Sequence, residues 1–137
     1  MVSVVIVDSD VSESDEIENI IRRIAAVRFD NEWKIIKIKS CNDFEKLIEN
    51  RHTIDILIFE VEGKIECLAR YRSEFSKAIL MLLASDKTSP MYYLMPGIKA
   101  DSLVVRPCEH SKIKDRIMDL LLFGYEKRKN DCDYAWL

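Results

Sequence analysis

The chain has 137 residues, the length of one ordinary domain, with 48% hydrophobic and 33% charged residues. Its formal net charge of −3 gives no global positive field to attract nucleic acid. No apolar run reaches the roughly 20 residues that span a bilayer, and the N-terminus lacks the basic region and cleavage site of a secretory signal, so no membrane association and a cytoplasmic location are expected. The cysteines are Cys41, Cys67, Cys108 and Cys132, none in CxxC spacing, and reduced thiols are expected rather than a zinc site or a disulfide framework.

Residues 3–7 are valine-rich and read as a strand buried on both faces. Ser12 opens a helix, with Asp15 as its capping partner. Ile17, Ile20, Ile21, Ile24 and Val27 follow at helical spacing. A second strand is expected over 33–38. Ser40 and Asp43 cap a second helix with Phe44, Leu47 and Ile48 inward. Residues 54–59 form a third strand and 64–75 a third helix, with Ile65, Leu68 and Tyr71 packing. Residues 78–84 form a fourth strand. The stretch 85–99 holds Pro90 and Pro96, so a helix there is short or broken. Residues 103–105 give a short fifth strand. Residues 111–123 give a closing amphipathic helix that Gly124 ends. Two units follow from this: a domain over 1–124, and a tail or linker over 125–137 that is charged first and then apolar at Tyr134, Ala135, Trp136 and Leu137.

Five strands alternating with helices predict an α/β fold with a doubly wound parallel sheet and helices on both faces. In such sheets the functional site lies beyond the carboxyl ends of the strands. Those ends carry Asp8-Ser9-Asp10, Glu60-Val61-Glu62, Leu83-Ala84-Ser85 and Arg106-Pro107.

The run Ile54-Asp55-Ile56-Leu57-Ile58-Phe59, followed by an acid, resembles strand three of bacterial response-regulator receiver domains. Val4-Val5-Ile6-Val7-Asp8 resembles their first strand. Ala100-Asp101-Ser102-Leu103-Val104-Val105-Arg106-Pro107 resembles their fifth, which normally ends in Lys-Pro. The resemblance covers about residues 1–123 and implies a CheY-like strand order of 2-1-3-4-5. The lead-in Gly97-Ile98-Lys99-Ala100 is most similar to receivers of LytTR-type transcription regulators. In that family an aspartate after strand three takes a phosphoryl group and an acid pair after strand one helps to hold Mg²⁺. A Ser or Thr after strand four and a Lys after strand five contact the phosphoryl oxygens.

This chain departs from the pattern at nearly every such position. Glu60 stands at the acceptor position, one methylene longer, which displaces its oxygen by about 1.5 Å. A misplacement of about 1 Å costs on the order of a hundredfold in catalysis. The acid pair is reduced to Asp8, because Ser9 holds the other place, and a hydroxyl is a poor ligand for a hard cation. Asp10 adds a further charge. Leu83, followed by Ala84, replaces the hydroxyl residue, and Arg106 replaces the lysine with a different shape. The expectation is a degenerate receiver without catalytic residues, an atypical two-component regulator independent of Asp phosphorylation. No cofactor is expected, and Mg²⁺ binding to Asp8, Asp10 and Glu60 is expected to be weak or absent. Arg106 is expected to pair with Glu60 or Asp8 permanently. Leu83 also reads simply as core.

Partners are expected to be proteins. Met91, Tyr92, Tyr93, Leu94 and Met95 cannot all face inward on one helix. With Ile98, Leu103 and Val105 they predict a homodimer or partner surface made by segment 85–99, the fifth strand and the closing helix, as is common in receivers. No direct nucleic-acid contact is expected; DNA would be reached through an effector domain outside this chain. Two rival readings stand beside this one. Asp8-Ser9-Asp10 resembles the DxD nucleophile motif of haloacid-dehalogenase-type phosphatases, with Asp8 attacking phosphate and Asp10 as acid/base. A flavodoxin-like nucleotide-binding domain would need a glycine-rich loop that Gly63, Gly97 and Gly124 do not form.

Overall fold

The structure is a computed structural model that describes residues 1–88 and 97–126. Five strands form one parallel sheet in the order β2-β1-β3-β4-β5. They are β1 (Val2–Val7), β2 (Trp33–Ile38), β3 (Ile56–Glu60), β4 (Ile79–Ser85) and β5 (Ser102–Arg106). The helices are α1 (Val11–Arg28), α2 (Cys41–Glu49), α3 (Ile65–Tyr71) and α4 (His110–Asp119). A 3₁₀ turn, Arg72–Phe75, continues α3, and a π-helical turn, Leu120–Tyr125, continues α4.

The valine- and isoleucine-rich central strands are buried on both faces because helices cover both. Strand alternation divides the core in two. Val4, Ile6, Ile56, Ile58, Met81, Leu83 and Val104 face α1 and α4. Val5, Val7, Leu57, Phe59, Leu80, Leu82 and Ala84 face α2 and α3. Phe44 anchors the second half, edge-on to Phe59 and Phe75.

Several local expectations change. Helix α1 starts at Val11, not Ser12, because the Asp10 carboxylate accepts the Glu13 amide at 3.1 Å and caps the helix itself. Asp15 instead pairs with Lys37 of β2. Gly124 does not end the last helix. It lies inside the π-helical turn, where a Cβ would stand 3.5 Å from Ile79. Tyr125 packs against Phe29 and Trp33, with ring centroids 6.0 and 5.9 Å away, so the packed body extends past residue 124. Arg72 was not singled out from the sequence, yet it is 5% exposed. Its guanidinium lies over the Phe75 ring and donates to the carbonyls of Phe75, Ile98, Ala78 and Lys99, tying the end of α3 to the approach to β5.

Candidate functional site

The pleat brings the site together. Asp8 extends the row Val4–Ile6 by one step, Glu60 extends Ile56–Ile58, and Arg106 extends Val104. All three therefore leave the sheet on the α1 side. Val7 pairs with Phe59, so Asp8 and Glu60 emerge next to each other. Arg106 pairs with Ser85 on β4, and its long side chain reaches past β4 to both acids.

The Arg106 fork grips Asp8 with two bonds, Nη1 to Oδ2 at 2.8 Å and Nη2 to Oδ1 at 3.2 Å. Nη2 also donates to Glu60 Oε2 at 3.1 Å, and Nη1 reaches Glu13 on the first turn of α1. Glu60 is held from its other side. Lys64 Nζ lies 2.6 Å from Oε1, and Ser9 donates to the same carboxylate through its hydroxyl at 2.8 Å and its amide at 3.2 Å. Gly63, with φ +73°, makes the turn in which the Lys64 amide bonds the Val61 carbonyl, which sends Lys64 back over Glu60. The Asp8 side chain is 0% exposed, Arg106 12% and Glu60 14%, so these are desolvated, charge-assisted contacts.

Electrostatics follow burial. Desolvation pushes the Asp8 carboxyl above its ordinary value, against the opposing pull of Arg106. Burial also acts to raise Glu60, but the Lys64 and Ser9 contacts outweigh it and hold Glu60 below the usual carboxylate value. Burial acts against the Arg106 charge, and the bond to Asp8 together with the charges of Asp8, Glu13 and Glu60 outweighs it, so Arg106 is held more firmly protonated.

The remaining expected residues fall in different places. Asp10 belongs to the strand-end loop, but its carboxylate caps α1 and its amide donates to Asp8 Oδ1 at 3.1 Å. Leu83 is fully buried in the core beside Glu60, and Ala84 is buried on the opposite face. The hydroxyl of Ser85, two residues on, bonds Glu62 at 2.8 Å. Ile98 is corrected as an interface residue. It is 0% exposed and packs in the α2–α3 core half, because Arg72 holds its carbonyl and draws the segment inward. Leu103 is partly buried against the same core and Val105 is 45% exposed. Tyr92 and Tyr93 lie outside the described residues.

Sequence reasoning missed Glu13 and Lys64 as members of the cluster. Lys64 carried a signal, four residues after Glu60. Glu13 carried one only through its place on the first turn of α1, above the strand ends.

The Mg²⁺ implied by the family resemblance does not fit these side chains. Both Asp8 oxygens face Arg106, the Asp10 carboxylate caps a helix, and both Glu60 oxygens have donors. Among the described residues no group of three His, Cys, Asp or Glu side chains is arranged to hold a metal. Phosphatase chemistry at Asp8 meets the same obstacle, because a nucleophile needs a free oxygen facing substrate. Among the described residues no helix is long and apolar enough to cross a membrane.

No protein-family model and no curated protein sequence matches the chain. Solved structures do. A signal receiver domain of a two-component histidine kinase from Clostridium thermocellum superposes with TM-score 0.69 at 15% identity, covering 88% of this chain and 97% of that one. The chemotaxis response regulator CheY4 of Vibrio cholerae gives 0.63 at 16%, over 88% and 98%. NtrX from Brucella abortus, in complex with ATP, gives 0.70 at 11%, over 96% of this chain and 29% of that one. The fold is thus the receiver fold, and at these identities the likeness is one of fold.

Proposed function

We propose that this receiver-fold chain is a phosphorylation-independent signalling module, an atypical receiver of a two-component-type regulator that acts by binding proteins in the cytoplasm. The observation that carries the reading is the Arg106 clasp. In receivers the phosphoryl group on the strand-three aspartate is contacted by a Ser or Thr after strand four and a Lys after strand five, while acids after strand one help to hold Mg²⁺. Here a guanidinium already joins Asp8 and Glu60, with Glu13 at its edge. The bridge between strand ends that a phosphoryl group would make is made here by a resident cation, and the strand ends hold one arrangement without a chemical trigger. Glu60 supplies fewer acceptor oxygens and less charge than a phosphate, so it is read as a structural partner of Arg106 and not as a mimic of the phosphorylated state.

The module is read as having no catalytic residue and no Mg²⁺ cofactor. Its output is protein contact through the face of β5 and α4 and the segment before β5, where Val105 is exposed, as a homodimer or with a partner. The match to 29% of the longer NtrX chain supports a unit that works beside an effector, through which transcription would be regulated.

The test is intact mass after incubation with Mg²⁺ and acetyl phosphate, with Glu60→Asp alongside. The expected result is no phosphoryl adduct on the parent protein. An adduct on the parent returns it to the phosphorylation-driven switches.

A further inference from the structure

We propose that the groove between α1 and α4 is the docking site for residues 131–137 of this same chain, Asp-Cys-Asp-Tyr-Ala-Trp-Leu. The groove has a volume of about 640 Å³. Its floor is Ile20, Ile24, Met118 and Leu122, with the 82%-exposed Val27 at one end. Its rim is basic. Arg23, Arg28 and Lys114 line it, no acid does, and none of the three is in an ion pair among the described residues. The His110 ring there contacts the Glu16 carboxylate. An apolar floor under unpaired cations fits an extended segment carrying both acids and large apolar side chains.

The chain supplies such a segment at the right place. Both α1 and α4 follow parallel strands and run the same way, so Val27, Arg28 and Leu122 share one end of the groove. Tyr125 fixes the exit of the chain at that end, against Phe29 and Trp33. Beyond it, residues 127–137 span up to about 36 Å when extended. The groove wall from His110 to Leu122 measures about 18 Å along the helix. The segment therefore reverses and runs back along the groove with length to spare. Its charge order sets the register. Lys127, Arg128 and Lys129 are repelled by the rim and make the turn. Asp131 and Asp133 then meet Arg23, Arg28 and Lys114, and Tyr134, Trp136 and Leu137 lie on the floor.

The test isolates Trp136 emission in the full chain by subtracting a Trp136→Phe variant, which reports Trp33 alone. The expected result is emission shifted to shorter wavelength and acrylamide quenching several-fold slower than in urea. Val27→Glu, at an exposed position that leaves the core intact, is expected to raise quenching to the unfolded rate while the Trp33 signal stays native. Arg23→Glu with Lys114→Glu is expected to do the same, and Asp131→Lys with Asp133→Lys in that background to restore protection. Quenching of the parent at the unfolded rate overturns the proposal. So does protection untouched by Val27→Glu, which places Trp136 elsewhere, and protection lost on dilution, which assigns the groove to a second copy.

Discussion

Replacing Arg106 by alanine removes the cation from a cluster in which Asp8 is fully buried and Glu60 partly buried. The two acids would then stand side by side without their shared counter-charge. Breaking a buried pair from one side costs about 3 to 5 kcal/mol, because the abandoned charge stays desolvated. With a denaturation slope of about 2 kcal/mol per molar urea, the midpoint should fall by about 1.5 to 2.5 M. The deficit must also depend on pH, with a definite sign. Burial already raises the Asp8 carboxyl above its ordinary value, and loss of Arg106 raises it further. A carboxyl whose folded pKa is raised costs stability once it ionises, and the cost is relieved as pH falls through that raised value. The gap between parent and Arg106→Ala should therefore be widest near neutral pH and narrow on acidification. Arg106→Lys, which keeps the charge and loses the fork, should fall between them. Arg106→Met combined with Asp8→Asn should recover much of the loss, because no charge is then stranded. A cost below about 1 kcal/mol with no pH dependence, as for a surface pair, would refute the clasp and make the cluster a solvated rim.

Glu60→Gln tests the other side of the clasp. Because Glu60 is held below its ordinary value, its contribution is present above the unfolded carboxylate pKa and lost as pH falls through the lower folded one. The variant should lose about 1.5 to 3 kcal/mol at neutral pH and show a flatter acid limb in urea titrations; an unchanged acid limb counts against the Lys64 and Ser9 contacts. Gly124→Ala should be neutral or stabilise by up to about 1 kcal/mol, because its Cβ meets Ile79 and Leu120 at ordinary contact distance; a clear drop in midpoint would show that the π-helical turn needs glycine. The Cys67 thiol is pushed up to about 12, by burial first and by Cys41 second. In thiol labelling at pH 8 followed by peptide mapping, Cys67 should react more slowly than the partly exposed Cys41 and Cys108. Equal rates would place it outside the core.

The sequence alone determined the sheet, its parallel sense and the strand ends that carry the acids. Strand alternation and apolar runs are local and survive without tertiary detail, and the resemblance to receivers implied the strand order 2-1-3-4-5 that the sheet adopts. It also placed Glu60, Leu83 and Arg106 at their positions, because register follows from counting along strands. The tertiary structure alone decided what those residues touch. Asp10 reads as a site acid in a line of text, but the first turn of α1 has unsatisfied amides, and capping them claims its carboxylate. Ile98 reads as surface beside two prolines, but the buried Arg72 needs carbonyl acceptors and pulls its segment inward. Glu13 joins the cluster because α1 begins directly above the strand ends, a juxtaposition across 93 residues that no local pattern encodes. Local propensity and periodicity write the elements into the sequence. The pairing of a long cation with three acids from β1, α1 and β3 is decided only when burial removes water as their alternative partner.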